Sequence, residues 1–249
     1  FSLDIAKKRV ETLTENLIKE IEKYRLHSNI NELIIHLGGD YISNVHHAEL
    51  AETNNLSPID ATIFAKNLII NSIQEIINNA KLNKVILLCN KGNHARISPT
   101  MQFNNEAGTS LESIIYDSIR SYFKNDKRID VINPDAGIGY YSILSGNNKF
   151  TLRFFHGQQL KSMGGIGGIS VPLNKFMMRL DSTQPAEFTM LGHFHQLTYG
   201  KNYSVNGSLV GYNAFALQHG FSYEPPQQAF MIYDAEKNMI TNRSFIDCE

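Results

Sequence analysis

An α/β fold of two β-sheets packed together with helices outside is what this sequence predicts, on three observations. Helical stretches alternate with short apolar strands over the first part of the chain. From Arg128 the texture changes to short strands joined by turn residues, which are expected to pair antiparallel. With 249 residues, 42% of them hydrophobic, and no linker-like stretch, the chain can build one large domain with a sizeable core.

Residues 4–26 read as an amphipathic helix, with Ala6, Val10, Leu13, Leu17, Ile21 and Tyr24 at helical spacing among Lys and Glu. The apolar run Glu32-Leu33-Ile34-Ile35-His36-Leu37 follows as a buried strand and ends in Gly38-Gly39-Asp40. Residues 41–57 are polar and loop-like. At Ser57-Pro58 a second helix starts, because serine caps, proline suits the first turn and Asp60 suits the positive end. It runs to about Leu82. Lys84 to Cys89 is a second apolar strand, ending in Asn90-Lys91-Gly92-Asn93-His94. A Thr109-x-x-Glu112 capping box opens a third helix that reaches about Lys124. Beyond Arg128, strands at Tyr140 to Leu144 and Lys149 to Phe155 flank the turn Ser145-Gly146-Asn147-Asn148, and the second of them ends in His156-Gly157. Residues 161–170 are glycine-rich, and a short helical piece falls near 173–180. An apolar run from Glu187 to Leu191 leads into Gly192-His193-Phe194-His195. A hairpin around Gly200-Lys201-Asn202 and strands at 227–234 and 239–246 complete the pattern.

Composition narrows the classes. A net charge of −1 supplies no global basic field, so nucleic-acid binding would require a local patch. Two cysteines, Cys89 and Cys248, are too few for a disulfide framework or a cysteine metal site, and suit a reducing cytosol. No apolar run reaches membrane-spanning length and no signal-peptide pattern is visible, so a cytoplasmic protein without a membrane partner is expected.

Four strand ends carry Asp40, Asn93-His94, His156 and His193-x-His195, each beside glycine. In open α/β sheets, ligands bind at that edge. Carboxylate, amide oxygen and imidazole form a mixed oxygen and nitrogen set suited to Mn, Fe or Zn rather than Ca.

The order Gly39-Asp40, Gly92-Asn93-His94, His156, Gly192-His193-Phe194-His195 resembles the calcineurin-like metallophosphoesterase superfamily over nearly the whole chain. Asn206-Gly207-Ser208-Leu209-Val210-Gly211, with Pro225-Pro226-Gln227-Gln228, further resembles a phage- and prophage-type branch. The resemblance implies a four-layer αββα sandwich of two mixed sheets and a pair of divalent metals, manganese first, with iron, zinc or nickel as alternatives. Asp40 would bridge both metals; Asn93, His156 and His193 would complete the second metal's shell; His195 would ligate the first. His94 would assist departure of the leaving group while the metals activate a hydroxide for in-line attack. The activity implied is phosphoester hydrolysis, with a phosphodiester in a nucleic acid or nucleotide as the favoured substrate. The alternatives are a phosphomonoesterase and a non-catalytic binding module of the same fold.

Two departures stand out. The family opens with Asp-x-His on an initial strand, and this chain offers only Leu3-Asp4-Ile5-Ala6. Residues 1–249 therefore read as a single, N-terminally incomplete domain, with its first strand and that motif expected upstream of Phe1; a natural metal-poor relative is the alternative. Where most members place a carboxylate after Gly-Asn-His, this chain has Ala95 and then Arg96, whose planar fork suits a phosphate oxygen and makes it the candidate substrate-binding residue.

Other features take plainer readings. His46 and His47 are expected to be solvated loop residues, His36 and His27 structural, and Cys89 a core residue. The run Gly164-Gly165-Ile166-Gly167-Gly168 fits neither dinucleotide nor P-loop fingerprints and reads as a lid or turn. Lys91, Arg96, Arg153, Lys161, Lys175 and Arg179 are weighed as a basic rim against an ordinary solvated face.

Overall fold

The computed structural model describes residues 2–46, 48–101, 105–161 and 168–249. His47 and Gly164 to Gly167 lie outside them. In chain order the elements are α1 (Leu3–Arg25), β1 (Glu32–Leu37), α2 (Ala48–Thr53), α3 (Pro58–Asn79), β2 (Lys84–Cys89), a 3₁₀ turn (Ala107–Thr109), α4 (Glu112–Tyr122), β3 (Ile129–Ile132), β4 (Ile138–Ser145) and β5 (Asn148–Phe155). There follow α5 (Ser170–Asp181), β6 (Phe188–Leu191), β7 (Thr198–Tyr199), β8 (Tyr203–Val205), α6 (Ala214–Gln218), β9 (Gln227–Asp234) and β10 (Met239–Asp247). Among the described residues, no helix is long and apolar enough to cross a membrane.

The fold is α/β, with one parallel and one mixed sheet flanked by helices. The first sheet, expected to be mixed, is instead parallel throughout, in the order β1-β2-β3. The second has the order β4-β5-β6-β8-β7, with β5, β6 and β8 parallel and the outer pairs antiparallel. A third ladder pairs β9 with β10. β2 shows why the layers form. Its side chains alternate between two faces, and Val85 through Cys89 are all fully buried. Val85, Leu87 and Cys89 pack with Ile21 of α1, Ile73 and Ile77 of α3 and Ile115 and Ile119 of α4. Ile86 and Leu88 turn the other way, onto Phe150, Leu152, Phe154, Phe188 and Met190 of the second sheet. Each such side chain contributes about 1.5–3 kcal/mol by leaving water. The far face of the second sheet buries Phe155, Leu191 and Val205 beneath Leu173 and Met177 of α5.

Local signals account for most boundaries. The Ser57 hydroxyl accepts from Asp60 N at 3.2 Å, with Pro58 in the first turn. The helix stops at Asn79, three residues before the expected end, because Lys81 adopts a left-handed φ of +48° and turns the chain out. Gly146 opens the two-residue turn between β4 and β5 with φ +57°, as a type II′ hairpin requires. Three expectations need correction. Residues 41–57 are not wholly loop, since α2 lies within them. The late strands are not simply antiparallel, because α5 lets the chain cross over and bring β6 back parallel to β5. The capping box at Thr109 does not form. The Glu112 side chain turns inward, Thr109 N donates to Glu106 O, and the Ser110 hydroxyl accepts from Glu112 N at 3.3 Å.

Candidate metal centre

The C-terminal ends of β1, β2, β5 and β6 bring the four polar stretches to one place. The turns after β1 and β2 lie against each other so closely that side chains would not fit. A Cβ on Gly39 (φ +87°) would sit 2.3 Å from Gly92 N, and one on Gly92 would sit 2.1 Å from Asp40 Oδ1. This contact lets Asp40 Oδ1 accept from His94 N at 2.8 Å. Asp40, His193 and His195 all hold left-handed backbone, with φ of +58°, +67° and +65°. For non-glycine residues that conformation costs about 1–3 kcal/mol each, and such strain clusters at functional sites.

His156 Nε2 is the focus. Asp40 Oδ2 lies 2.9 Å from it, and Asn93 Oδ1 and His193 Nδ1 lie 3.2 Å from it. The other ring nitrogen, Nδ1, meets Gly38 O at 2.7 Å, and that carbonyl fixes a proton on Nδ1 and leaves the Nε2 lone pair facing the cluster. Two oxygens and two nitrogens, all electron-pair donors, therefore converge. Ligand atoms of Asp40, His156 and His193 lie within 4.8 Å of one another. Such a set is frustrated unless something positive joins it.

Charge behaves accordingly. Burial would raise the Asp40 pKa, but the facing His156 and the hydrogen bonds from His156 and His94 hold it well below the usual carboxylate range. Burial would lower His156, yet the charge and hydrogen bond of Asp40 prevail and raise it. Burial and the His156 charge push His193 down to about 4, and burial also lowers His195. The Asp40 carboxylate thus favours positive charge at the point where these donors converge.

Three expected site residues lie around this cluster. His94 follows Asn93, and its Nδ1 meets Ser43 O at 3.2 Å. Arg96 directs Nη1 to the Asn93 carbonyl, while its buried Nε has no partner among the described residues. His195 is not among the converging atoms; its ring packs at 5.5 Å from Phe215 and 6.3 Å from Phe221. The proposed basic rim is partly corrected. Lys91 is buried, donating to Asn133 Oδ1 and Pro134 O, and Arg153 is fully buried against Tyr140, Asp181 and the Gln184 carbonyl. His46 is not simply solvated, since its Nε2 meets Arg96 O. Cys89 is a core residue, its thiol pushed up to about 12 by burial.

Sequence reasoning passed over Asn44, Glu112 and Tyr116. Asn44 Nδ2 donates to His94 O and Arg96 O at 3.0 and 2.7 Å, tying the loop after β1 to the loop after β2. Glu112 is fully buried and accepts from Tyr41 N at 2.8 Å and Gly92 N at 2.7 Å. The Tyr116 hydroxyl, one turn further along α4, meets the Leu37 and Asn90 carbonyls. A carboxylate at an otherwise apolar helix position was the available signal for Glu112, and the capping-box pattern masked it.

No protein-family model matches the chain, and no curated protein matches it. Among solved structures, the chain is similar to the C-terminal domain of ChiA from Legionella pneumophila, at 13% identity and a TM-score of 0.25. That likeness covers 68% of this chain and 42% of the other, and at such a score it bears on neither fold family nor function.

Proposed function

We propose that the protein is a metal-dependent phosphoesterase acting on phosphodiesters, with Asp40, Asn93, His156 and His193 holding one divalent cation. The observation that carries this reading is the convergence of three electron-pair donors within 3.2 Å of His156 Nε2, at the ends of strands from two packed sheets. The donor set fits a borderline cation such as Mn, Fe or Zn. The layers of helices, sheet, sheet and helix are read as the metallophosphoesterase sandwich, and Asp40 and His195 as ligands to a second cation. When bound, the metals supply Lewis-acid activation of water and of the phosphoryl oxygen.

The residues around the cluster supply the rest. His94 sits on the same turn as Asn93, with the Ser43 carbonyl orienting its ring through Nδ1. Nε2 is then the atom that exchanges a proton with the leaving oxygen, a role worth about 10²-fold or more. Arg96 lies on the same loop as a partner for a non-bridging phosphate oxygen. Nucleic acid or a nucleotide is the favoured substrate class, a choice that rests on the resemblance of Asn206 to Gly211 and Pro225 to Gln228 to the phage- and prophage-type branch.

The test is Mn²⁺-dependent hydrolysis of an aryl phosphodiester, run beside His94→Ala and Arg96→Ala. We expect metal-dependent turnover, kcat lower by about 10²-fold in His94→Ala, and a raised KM with unchanged metal content in Arg96→Ala. Inactivity towards diesters and monoesters with Mn²⁺ bound would reject the enzyme reading. A second reading, a one-metal binding module, is favoured by the packing of His195 against Phe215 and Phe221 rather than in the cluster. It predicts metal uptake with no turnover and no effect of His94→Ala.

A further inference from the structure

Glu112 is the most deeply buried carboxylate near the candidate centre, yet it is not one of the converging ligands. It lies in the first turn of α4, whose positive end favours an anion. One oxygen accepts from Tyr41 N, the residue after Asp40; the other accepts from Gly92 N, the residue before Asn93. A single side chain therefore spans the two loops that carry the ligands. Tyr116 does the same one turn deeper through the Leu37 and Asn90 carbonyls, and Tyr41 packs edge-on against Tyr116 at 6.4 Å. The cluster itself has one carboxylate, Asp40, to set against a divalent charge.

We propose that Glu112 is a positioning residue of the Asp40–Asn93–His156–His193 centre: its carboxylate sets the spacing of the two ligand-bearing loops and supplies a second negative charge behind the cation. The inference rests on the metal-centre reading given above. Without the cation the ionised form of Glu112 is disfavoured. Burial, and then the charge of Asp40, raise its pKa to about 7 against the pull of the Gly92 and Tyr41 N–H groups, so ionising Glu112 costs the metal-free protein stability relative to its protonated form. A residue kept for packing alone would be stabilising in both states. Glu112 should instead have opposite effects on metal affinity and on metal-free stability.

Glu112→Gln separates these. Its amide nitrogen would face one of the two N–H donors, so one loop loses its acceptor along with the negative charge. The full chain is to be titrated with Mn²⁺ by calorimetry at pH 8, and the chelator-treated protein melted at the same pH. We expect the Mn²⁺ Kd to rise tenfold or more in Glu112→Gln, while the metal-free melting temperature stays level or rises. Glu112→Asp keeps the charge but is too short to span both donors, and should bind Mn²⁺ with intermediate affinity. If Glu112→Gln does not fold, Glu112→Asp carries the test against wild type, with a several-fold loss expected. Wild-type Mn²⁺ affinity in either folded variant would overturn the proposal, as would lowered metal-free stability in Glu112→Gln with affinity unchanged. Wild-type protein that takes up no Mn²⁺ would instead sink the metal centre itself, and this inference with it.

Discussion

Asp40→Asn probes the centre most directly. Among the described residues, Asp40 is the only carboxylate at the point of convergence, with Oδ2 2.9 Å from His156 Nε2 and Oδ1 held by His94 N. Asparagine keeps the shape and one acceptor but removes the charge. Two unit charges about 4 Å apart interact by about 4 kcal/mol at an effective dielectric near 20, and a divalent ion doubles that. If about a third of this survives desolvation, affinity falls roughly 100-fold, since each 1.4 kcal/mol is about tenfold. Mn²⁺ at about 100 times its Kd stabilises a protein by about 2.7 kcal/mol, and at its Kd by only about 0.4 kcal/mol. With about 2–4 °C per kcal/mol for a chain of this size, wild type should gain about 5–10 °C on adding Mn²⁺ and the variant about 1 °C. Each shift is read by differential scanning calorimetry against the same protein in chelator, because Asp40→Asn also breaks the pair with His156 and lowers the metal-free baseline. A full Mn²⁺-induced rise in Asp40→Asn, with unchanged metal content by elemental analysis, would refute the assignment of this cluster as the cation site.

Two further outcomes are expected. Gly92→Ala places a Cβ 2.1 Å from Asp40 Oδ1 and 2.4 Å from Asp40 N, so the loops must part. We expect a loss of about 1–3 kcal/mol in urea unfolding and loss of the Mn²⁺-induced rise in melting temperature; an unshifted midpoint would show that the turns do not need this contact. Burial lowers the His36 pKa to about 4, against the opposing effect of its 2.9 Å hydrogen bond with Asn90 Oδ1. Between pH 6.5 and 4 the unfolded chain then binds the extra proton, so this residue makes stability fall as pH falls, by up to about 1.4 kcal/mol per pH unit. Glu112, with its pKa raised to about 7, contributes the opposite slope between pH 4.5 and 7. His36→Gln should flatten the acid-side loss in urea melts across that range, and an identical profile would place the His36 proton elsewhere.

The sequence by itself determined the local part of this protein. Apolar runs marked the strands that become β1 and β2, a turn signal marked β5, and serine and proline marked the start of α3, because these signals act within one or two turns of the chain. Glycine beside each polar strand end also marked Asp40, Asn93, His156 and His193 as a set, since a turn at a sheet edge constrains the few residues that make it. Tertiary structure decided the rest. His193 and His195 are two residues apart and share left-handed backbone, yet one joins the cluster and the other packs on Phe215 and Phe221. The aromatic residues that distinguish them lie some 20 positions downstream. Glu112 matched a helix cap, yet its carboxylate spans Tyr41 and Gly92, 71 and 20 residues away. A buried carboxylate goes to whichever donors most fully replace its lost water. For Glu112 those donors exist only once β1 and β2 have paired and α4 has packed across their ends.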